Sequence, residues 1–383
     1  MALTSAGIMT GRIALVLAGS GAKAAWQVGV LRAIAELLDA PRRSPFPIVC
    51  ASSTGALNAA LLATQAEDFA HGVERLHEFW RVLQPQRVFR GGSGQLWLAG
   101  LRLALAIAGS GRLGRPGHAL FDLTPLSVWL AENVDFDRLE GAIDSHALHA
   151  LAITCSGYSS GQTVTFFQGR PDIDPWKGTR RVGAHIKLAS DHVLAALALP
   201  LLFPAVRIHR EWFGDGTLRQ PAPLSPALHL GAERILVIGC EGLRDEEERV
   251  SAEAPPATAQ MLSHVLAGLY VDTLSADLER ARRMNRLIAA LGPEERAAMK
   301  LRPIEVLALT PNERLERRAI AHASALPAGA RRMLASLGGL DTVGSGLLAQ
   351  LLFAAPYTAE LLEQGYRDAL ARRGELAQFF GLV

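Results

Sequence analysis

Residues Arg12–Leu38 read RIALVLAGSGAKAAWQVGVLRAIAELL. Arg12–Leu17 is an apolar run of strand length. From Gly21 to Leu38 the residues Trp26, Val30, Ile34 and Leu37 recur at helical spacing. Between the two lies Gly19-Ser20-Gly21-Ala22-Lys23. A short buried strand, a glycine-rich turn and an amphipathic helix make a β-α unit, and units of this kind build a parallel sheet covered by helices.

The alternation continues outward. Pro47–Ala51 reads as a second buried strand and Gly55–Thr64 as a helix, followed by helical patterns over 67–83 and Pro125–Asn133. Strands are expected at Ala150–Ser156 and Thr163–Gln168, a helix at Asp191–Leu199 closed by Pro200, a hairpin of Val206–His209 with Glu211–Phe213, and a strand at Arg234–Cys240. Beyond Gly242, Arg244–Pro256 reads as a surface loop, Met261–Leu291 as one long amphipathic helix, Ile304–Leu309 as a strand and 330–383 as helical. The expected fold is α/β: three layers, α/β/α, around a mostly parallel central sheet, plus a C-terminal helical extension. Residues 11–240 are expected to form the catalytic unit and 241–383 an extension packed onto it.

Composition narrows the function. With 383 residues, 49% hydrophobic and 20% charged, the chain can bury a large core and is not disordered. A formal net charge of +2, with no basic block, argues against a nucleic-acid partner. Only Lys23, Lys177, Lys187 and Lys300 of the 39 basic residues are lysine. That skew reads as coding bias or as anion and phospholipid contact by arginine. Cys50, Cys155 and Cys240 sit in apolar runs, are too few for a disulfide framework and suit a reducing compartment. The apolar run at Ile13–Ala18 is shorter than the roughly 7–15 residues of a signal-peptide core. The longest greasy stretch, Leu96–Gly109, has fourteen residues and contains Arg102, against the roughly 20 that a spanning helix needs. It reads as a core helix or a lipid-touching flap. The expected location is cytoplasmic, with peripheral membrane contact and neither a signal peptide nor a transmembrane helix.

Three features carry chemistry. Ala51-Ser52-Ser53-Thr54-Gly55 lies between a buried strand and a helix of small residues. It reads as a helix N-cap or as a nucleophile elbow, a tight turn that thrusts a hydroxyl out at a helix start. Gly19-Ser20-Gly21-Ala22-Lys23 points backbone N–H groups at an anion, whether phosphate or tetrahedral oxyanion. A dinucleotide site is disfavoured because the second strand does not end in an acid at the usual distance. A P-loop is excluded because Gly-Lys-Ser/Thr is missing. Gly214-Asp215-Gly216 is a glycine-flanked carboxylate after the hairpin. It is a turn, or the base that a serine hydroxyl needs before it becomes a nucleophile. His192, His229, His264 and His322 offer a triad alternative, but none lies in an obvious loop after a strand.

In this order the three features resemble the patatin-like phospholipases. Gly19-Ser20-Gly21-Ala22-Lys23-Ala24 falls on that family's oxyanion loop, Ala51-Ser52-Ser53-Thr54-Gly55 on its serine elbow, and Asp215-Gly216-Thr217 on its aspartate motif. Trp26–Leu31, Leu199–Pro204 and the segment from Leu218 to Ala227 also look similar. The resemblance implies a lipid acyl hydrolase with a Ser53–Asp215 dyad and no histidine. It further implies oxyanion donors among the N–H groups of Gly19, Ser20, Gly21 and Thr54, with Lys23, Gly55 and Gly216 supporting the motifs. Lys23 is expected either to hold the loop, to favour anionic head groups, or to be a solvated side chain at the helix start. The implied partner is a phospholipid or other acyl-ester lipid, with no cofactor, no metal and no calcium requirement. Ser20, Ala24 and Ala51 replace family glycines, and Thr217 stands where glycine or alanine is usual. Those departures motivate the alternative of a catalytically impaired lipid-binding or regulatory protein on the same fold.

Overall fold

The computed structural model describes residues 12–90, 119–242, 255–299, 301–341 and 344–383. Leu96–Gly109 lies outside them, as does all of Arg244–Pro256 except its last two residues. The strands are β1 (Ile13–Ala18), β2 (Ile48–Ser52), β3 (Ala150–Gly157), β4 (Thr163–Gly169), β5 (Trp176–Gly178), β6 (Arg181–His185), β7 (Val206–Ile208), β8 (Glu211–Asp215), β9 (Arg234–Ile238) and β10 (Glu305–Leu309). They form one sheet in the order β10-β9-β1-β2-β3-β4-β6-β5, with β8 paired to β3 and β7 to β8.

From β10 to β3 every pairing is parallel. These strands are nearly continuous apolar runs because both of their faces are covered. Leu15, Leu17, Val49, Ala51, Leu151, Ile153, Leu236 and Ile238 pack into one core. Their neighbours Ala14, Val16, Ile48, Cys50, Ala150, Ala152, Ile235 and Val237 pack into another. The two-residue period of a strand divides them in this way. The first core is shared with α1 (Ala25–Leu37), α2 (Gly55–Ala63) and α3 (Phe69–Arg81), the second with Leu274 and Leu278 of the helix Thr258–Ala290. The three expected layers are present.

Beyond β3 the sheet becomes mixed. β4 and β8 run antiparallel to β3, and β5 and β7 run antiparallel to β6 and β8. β5 and β6 were not expected: they are short and half-exposed, and their sequence lacks an apolar run. The C-terminal region contributes both a strand and helices to this architecture. β10 extends the parallel sheet, and the helix Ala355–Ala371 lies along α1, where the Trp26 indole donates to Asp368 at 2.9 Å. No described helix is long and apolar enough to cross a membrane.

Candidate active site

The site is assembled by the two edges of β3. On one edge β4 pairs with Ala150–Ser156. On the other, β2 pairs with Ala150–Thr154 and β8 takes over at Cys155–Gly157. β2 ends at Ser52, opposite Thr154, because the chain turns away into α2. The vacated edge receives Asp215, opposite Cys155. Ser53 and Asp215 therefore leave neighbouring positions of β3, at the carboxyl ends of the parallel strands, where open α/β sheets place their ligands.

Ser53 has φ +50°. A left-handed serine is strained by about 1–3 kcal/mol, a cost typical of functional turns. Capping does not explain it. The N-cap of α2 is Thr54, which makes no side-chain capping bond, and its hydroxyl is buried without a hydrogen-bond partner. The turn closes because a glycine follows: a Cβ on Gly55 would lie 2.3 Å from the Leu17 carbonyl oxygen. Ser53 and Asp215 are 5% and 1% exposed, so both groups are shielded from bulk water.

Asp215 is held from three sides. Its N–H donates to the Ala198 carbonyl at 2.9 Å. Its Oδ1 accepts the Thr217 N–H at 3.0 Å and the Thr217 hydroxyl at 2.6 Å. Gly216 lets the chain pass β3, since a Cβ there would lie 2.1 Å from the Thr154 carbonyl. Sequence reasoning treated Thr217 as a departure from a family pattern and missed that its side chain binds the carboxylate. Tyr158 is also close, its hydroxyl raised above its ordinary pKa by burial and then by the charge of Asp215.

The glycine-rich loop abuts the elbow. A Cβ on Gly19 would lie 2.5 Å from the nitrogens of both Thr54 and Gly55. The Gly19 N–H itself donates to the Ser52 carbonyl at 3.2 Å. It therefore braces the elbow. Gly21 takes φ +58°, and the Ala22 N–H donates to the Gln350 carbonyl at 3.0 Å. Lys23 is 2% exposed and forms a salt bridge with Glu241, so the solvated reading of its side chain is overturned. The Ser20 hydroxyl reaches the same Glu241 oxygen at 2.8 Å. Burial opposes the charge on Lys23, but Glu241 and Glu316 together with Cys240 more than offset it, and the ammonium is held above the ordinary lysine pKa. Sequence reasoning missed Glu241 and Gln350. The register could have found Glu241: Leu17 of β1 faces Ile238 of β9, so Ser20 and Glu241 leave the sheet in step.

Behind the loop a buried polar network fixes the strand ends. The Gln27 amide donates to the carbonyls of Ala18 and Ile238 at 2.8 and 2.9 Å, Asn58 donates to Gln27 and to the Ala24 carbonyl, and the Trp80 indole donates to Asn58. Ser20, Ala24 and Ala51 all lie outside the left-handed region. The replaced glycines are thus at positions whose backbone any residue adopts, whereas Gly21, whose φ is positive, is retained.

Three of the candidate histidines have other partners, although Nε2 of the buried His192 has none. His322 meets Glu360 at 2.9 Å, His229 stacks on Trp176, and Nδ1 of His192 accepts the Ala189 N–H at 3.0 Å. Burial lowers the pKa of His192 and of His229. Among the described residues no group of His, Cys, Asp and Glu could hold a metal ion, and all three cysteines are buried and free. A cavity of about 470 Å³ lies among Gln65, Arg75, Asn133, Asp135 and Arg138, and no residue of the site lines it.

The family model for patatin-like phospholipases matches residues 15–228, a span that contains the glycine-rich loop, Ser53 and Asp215. Among solved structures, the crystal structure of VipD from Legionella pneumophila is similar at 12% identity with a TM-score of 0.37, covering 94% of this chain and 69% of that one. No curated protein matches the chain.

Proposed function

The chain belongs to the patatin-like phospholipase family, and on that premise we propose that it cleaves carboxylic esters of lipids through a Ser53–Asp215 dyad. Membership supports hydrolysis of lipid esters in general. The dyad is supported by one observation: β3 pairs with Ser52 and Asp215 at consecutive positions, so the left-handed Ser53 leaves the sheet next to the strand position of Asp215.

In the proposed reaction Ser53 Oγ attacks the ester carbonyl carbon while Asp215 accepts its proton. The carbonyl oxygen becomes an oxyanion, with donors drawn from the N–H groups of Ser20, Gly21 and Thr54 at the start of α2. Collapse breaks the C–O bond, and the departing alkoxide takes the proton from Asp215. A water then attacks the acyl-Ser53 ester and gives its proton to Asp215. The second collapse releases the fatty acid and returns the proton to Ser53. Thr217 holds Oδ1 with two donors, and the proton is accepted by the same carboxylate. The Lys23–Glu241 pair and the Gln350 carbonyl hold the donor loop. We place the catalytic unit at 11–240 and treat 241–383 as a mainly helical extension that braces it.

The reading is tested by hydrolysis of a p-nitrophenyl ester and of a phospholipid. The wild type is expected to cleave both, and Ser53→Ala and Asp215→Asn to lose at least about 10³-fold, the scale seen when a catalytic nucleophile or base is removed. A wild type that cleaves neither substrate contradicts the enzyme reading. Activity that survives Asp215→Asn but not a histidine substitution contradicts the dyad.

A further inference from the structure

The β7–β8 hairpin pairs with β3 beyond the end of β2, so it projects past the carboxyl ends of the parallel strands, on the side of Ser53 and Asp215. Alternation along β8 turns Phe213 and Asp215 to one face and Trp212 and Gly214 to the other. Phe213 is buried against Phe166. Trp212 is 51% exposed. Arg207 is its register partner on β7 and is exposed, as is Arg210 at the hairpin tip.

Tyr158 completes this outer face. Its N–H donates to the Trp212 carbonyl at 3.0 Å, and a Cβ on Gly214 would lie 2.7 Å from its hydroxyl. Tyr158 thus lies across Gly214 and is 52% exposed. The neighbouring acid, Glu211, belongs to the opposite face and accepts the Ser160 N–H at 2.6 Å. Close by, Ala198 binds the Asp215 N–H, and the loop that follows carries Leu201. Leu201 is 67% exposed at φ +69°, while Leu202 and Phe203 beside it are buried.

We propose that this face of the hairpin is a docking surface for a lipid bilayer bearing anionic headgroups. Tyr158 and Trp212 enter the interface, where an apolar ring with a polar edge is best accommodated. Arg207 and Arg210 pair with headgroup phosphates, which a guanidinium matches in geometry as well as charge. The chain's small net charge gives it little long-range attraction to a surface, so selectivity for anionic lipid is concentrated in this patch. Docking here holds the bilayer at the hairpin whose opposite face carries Asp215, three residues along the same strand from Trp212.

A lipid occupant rests on the acyl-hydrolase reading of the site, but binding is measured without turnover. Ser53→Ala protein is sedimented with vesicles of phosphatidylcholine and of phosphatidylcholine mixed with phosphatidylglycerol. Partition onto the mixed vesicles is expected to be at least tenfold higher and to weaken with salt. Adding R207Q/R210Q should remove most of that preference, and adding Trp212→Ala should lower binding to both vesicle types about three- to tenfold. In otherwise wild-type protein the same substitutions should leave hydrolysis of a soluble p-nitrophenyl ester and the melting temperature unchanged, while hydrolysis of vesicle lipid falls. Equal binding to the two vesicle types, no sedimentation with either, or variants that bind as their parent would overturn the docking surface whatever the ester assay shows. An inactive wild type that binds as expected would instead overturn the dyad and leave the surface standing.

Discussion

The two turns that build the site are held in opposite ways. The serine elbow is supported locally: β2 ends at Ser52, Ser53 takes the left-handed conformation, and Gly55 closes against the Leu17 carbonyl. The glycine-rich loop is supported from far along the chain, by Glu241 after β9 and by the Gln350 carbonyl in the helix Ser345–Leu351. In the proposed reaction the nucleophile is aimed by its own backbone, through strain within a few residues. The proposed donor loop is instead anchored by a carboxylate and a carbonyl that the fold brings to it. One consequence is that the C-terminal region, which contributes neither Ser53 nor Asp215, still helps to set the geometry around them.

Substitutions can break this contrast. The largest effect is expected at Gly55, where a methyl group would collide with backbone that cannot rotate aside. Gly55→Ala should abolish ester hydrolysis by about 10³-fold or more and lower stability by about 1–3 kcal/mol, the range for overpacking a filled site. Ester kinetics and urea unfolding check both, and a Gly55→Ala protein of normal activity would show that the elbow is not tightly closed. Gly19→Ala places its methyl against the nitrogens of Thr54 and Gly55. An expected loss of about 10²–10³ in kcat is the size of removing an oxyanion donor; a change confined to KM would contradict the placement.

Distant anchors should act more weakly on rate and more strongly on stability. Lys23→Met removes the charge partner of Glu241 and leaves it the Ser20 hydroxyl, and breaking a buried pair in this way typically costs up to about 3–5 kcal/mol. Unfolding free energy should fall on that scale, with kcat down roughly tenfold as the loop loosens, an order-of-magnitude expectation for mispositioned catalytic groups. The raised pKa of Lys23 also sets a sign. The pair's stabilisation is fully present below the ordinary lysine value and is lost only as pH climbs through the raised one. A stability difference between wild type and Lys23→Met should therefore persist across neutral pH and shrink in strong alkali.

The smallest effect belongs to Thr217→Val, which keeps the branched shape and the N–H bond but deletes the hydroxyl donor to Asp215 Oδ1. Activity at neutral pH should fall about three- to tenfold, in line with roughly 1 kcal/mol for one hydrogen bond. The acidic limb of kcat/KM should move to higher pH, because a donor to a carboxylate favours its charged form. Thr217→Ser should restore both. An unmoved limb would make Thr217 a packing residue only.

The contrast also explains what could be read in advance. The turns that carry Ser53 and Asp215 were legible because each is a short motif whose small neighbours state its backbone requirement. The parallel half of the sheet was legible because strands covered on both faces become apolar runs. β5 and β6 were not, since short, half-exposed strands at the end of the sheet, with polar residues such as Arg181 and Lys177, carry no such signal. Glu241 was hidden for a different reason: a carboxylate after a strand looks solvated until β9 is known to lie beside β1. Lys23 was left open between holding the loop and standing in solvent for want of the same neighbour.

The central claim is that Ser53 is a nucleophile whose base is Asp215, and labelling with a fluorophosphonate probe followed by peptide mapping tests it most directly. The account predicts one modified residue, Ser53, no label in Ser53→Ala, and labelling slowed by about 10³-fold in Asp215→Asn, the scale of losing the base that activates a nucleophile. Modification of a different residue, or labelling of Asp215→Asn at the wild-type rate, would contradict it.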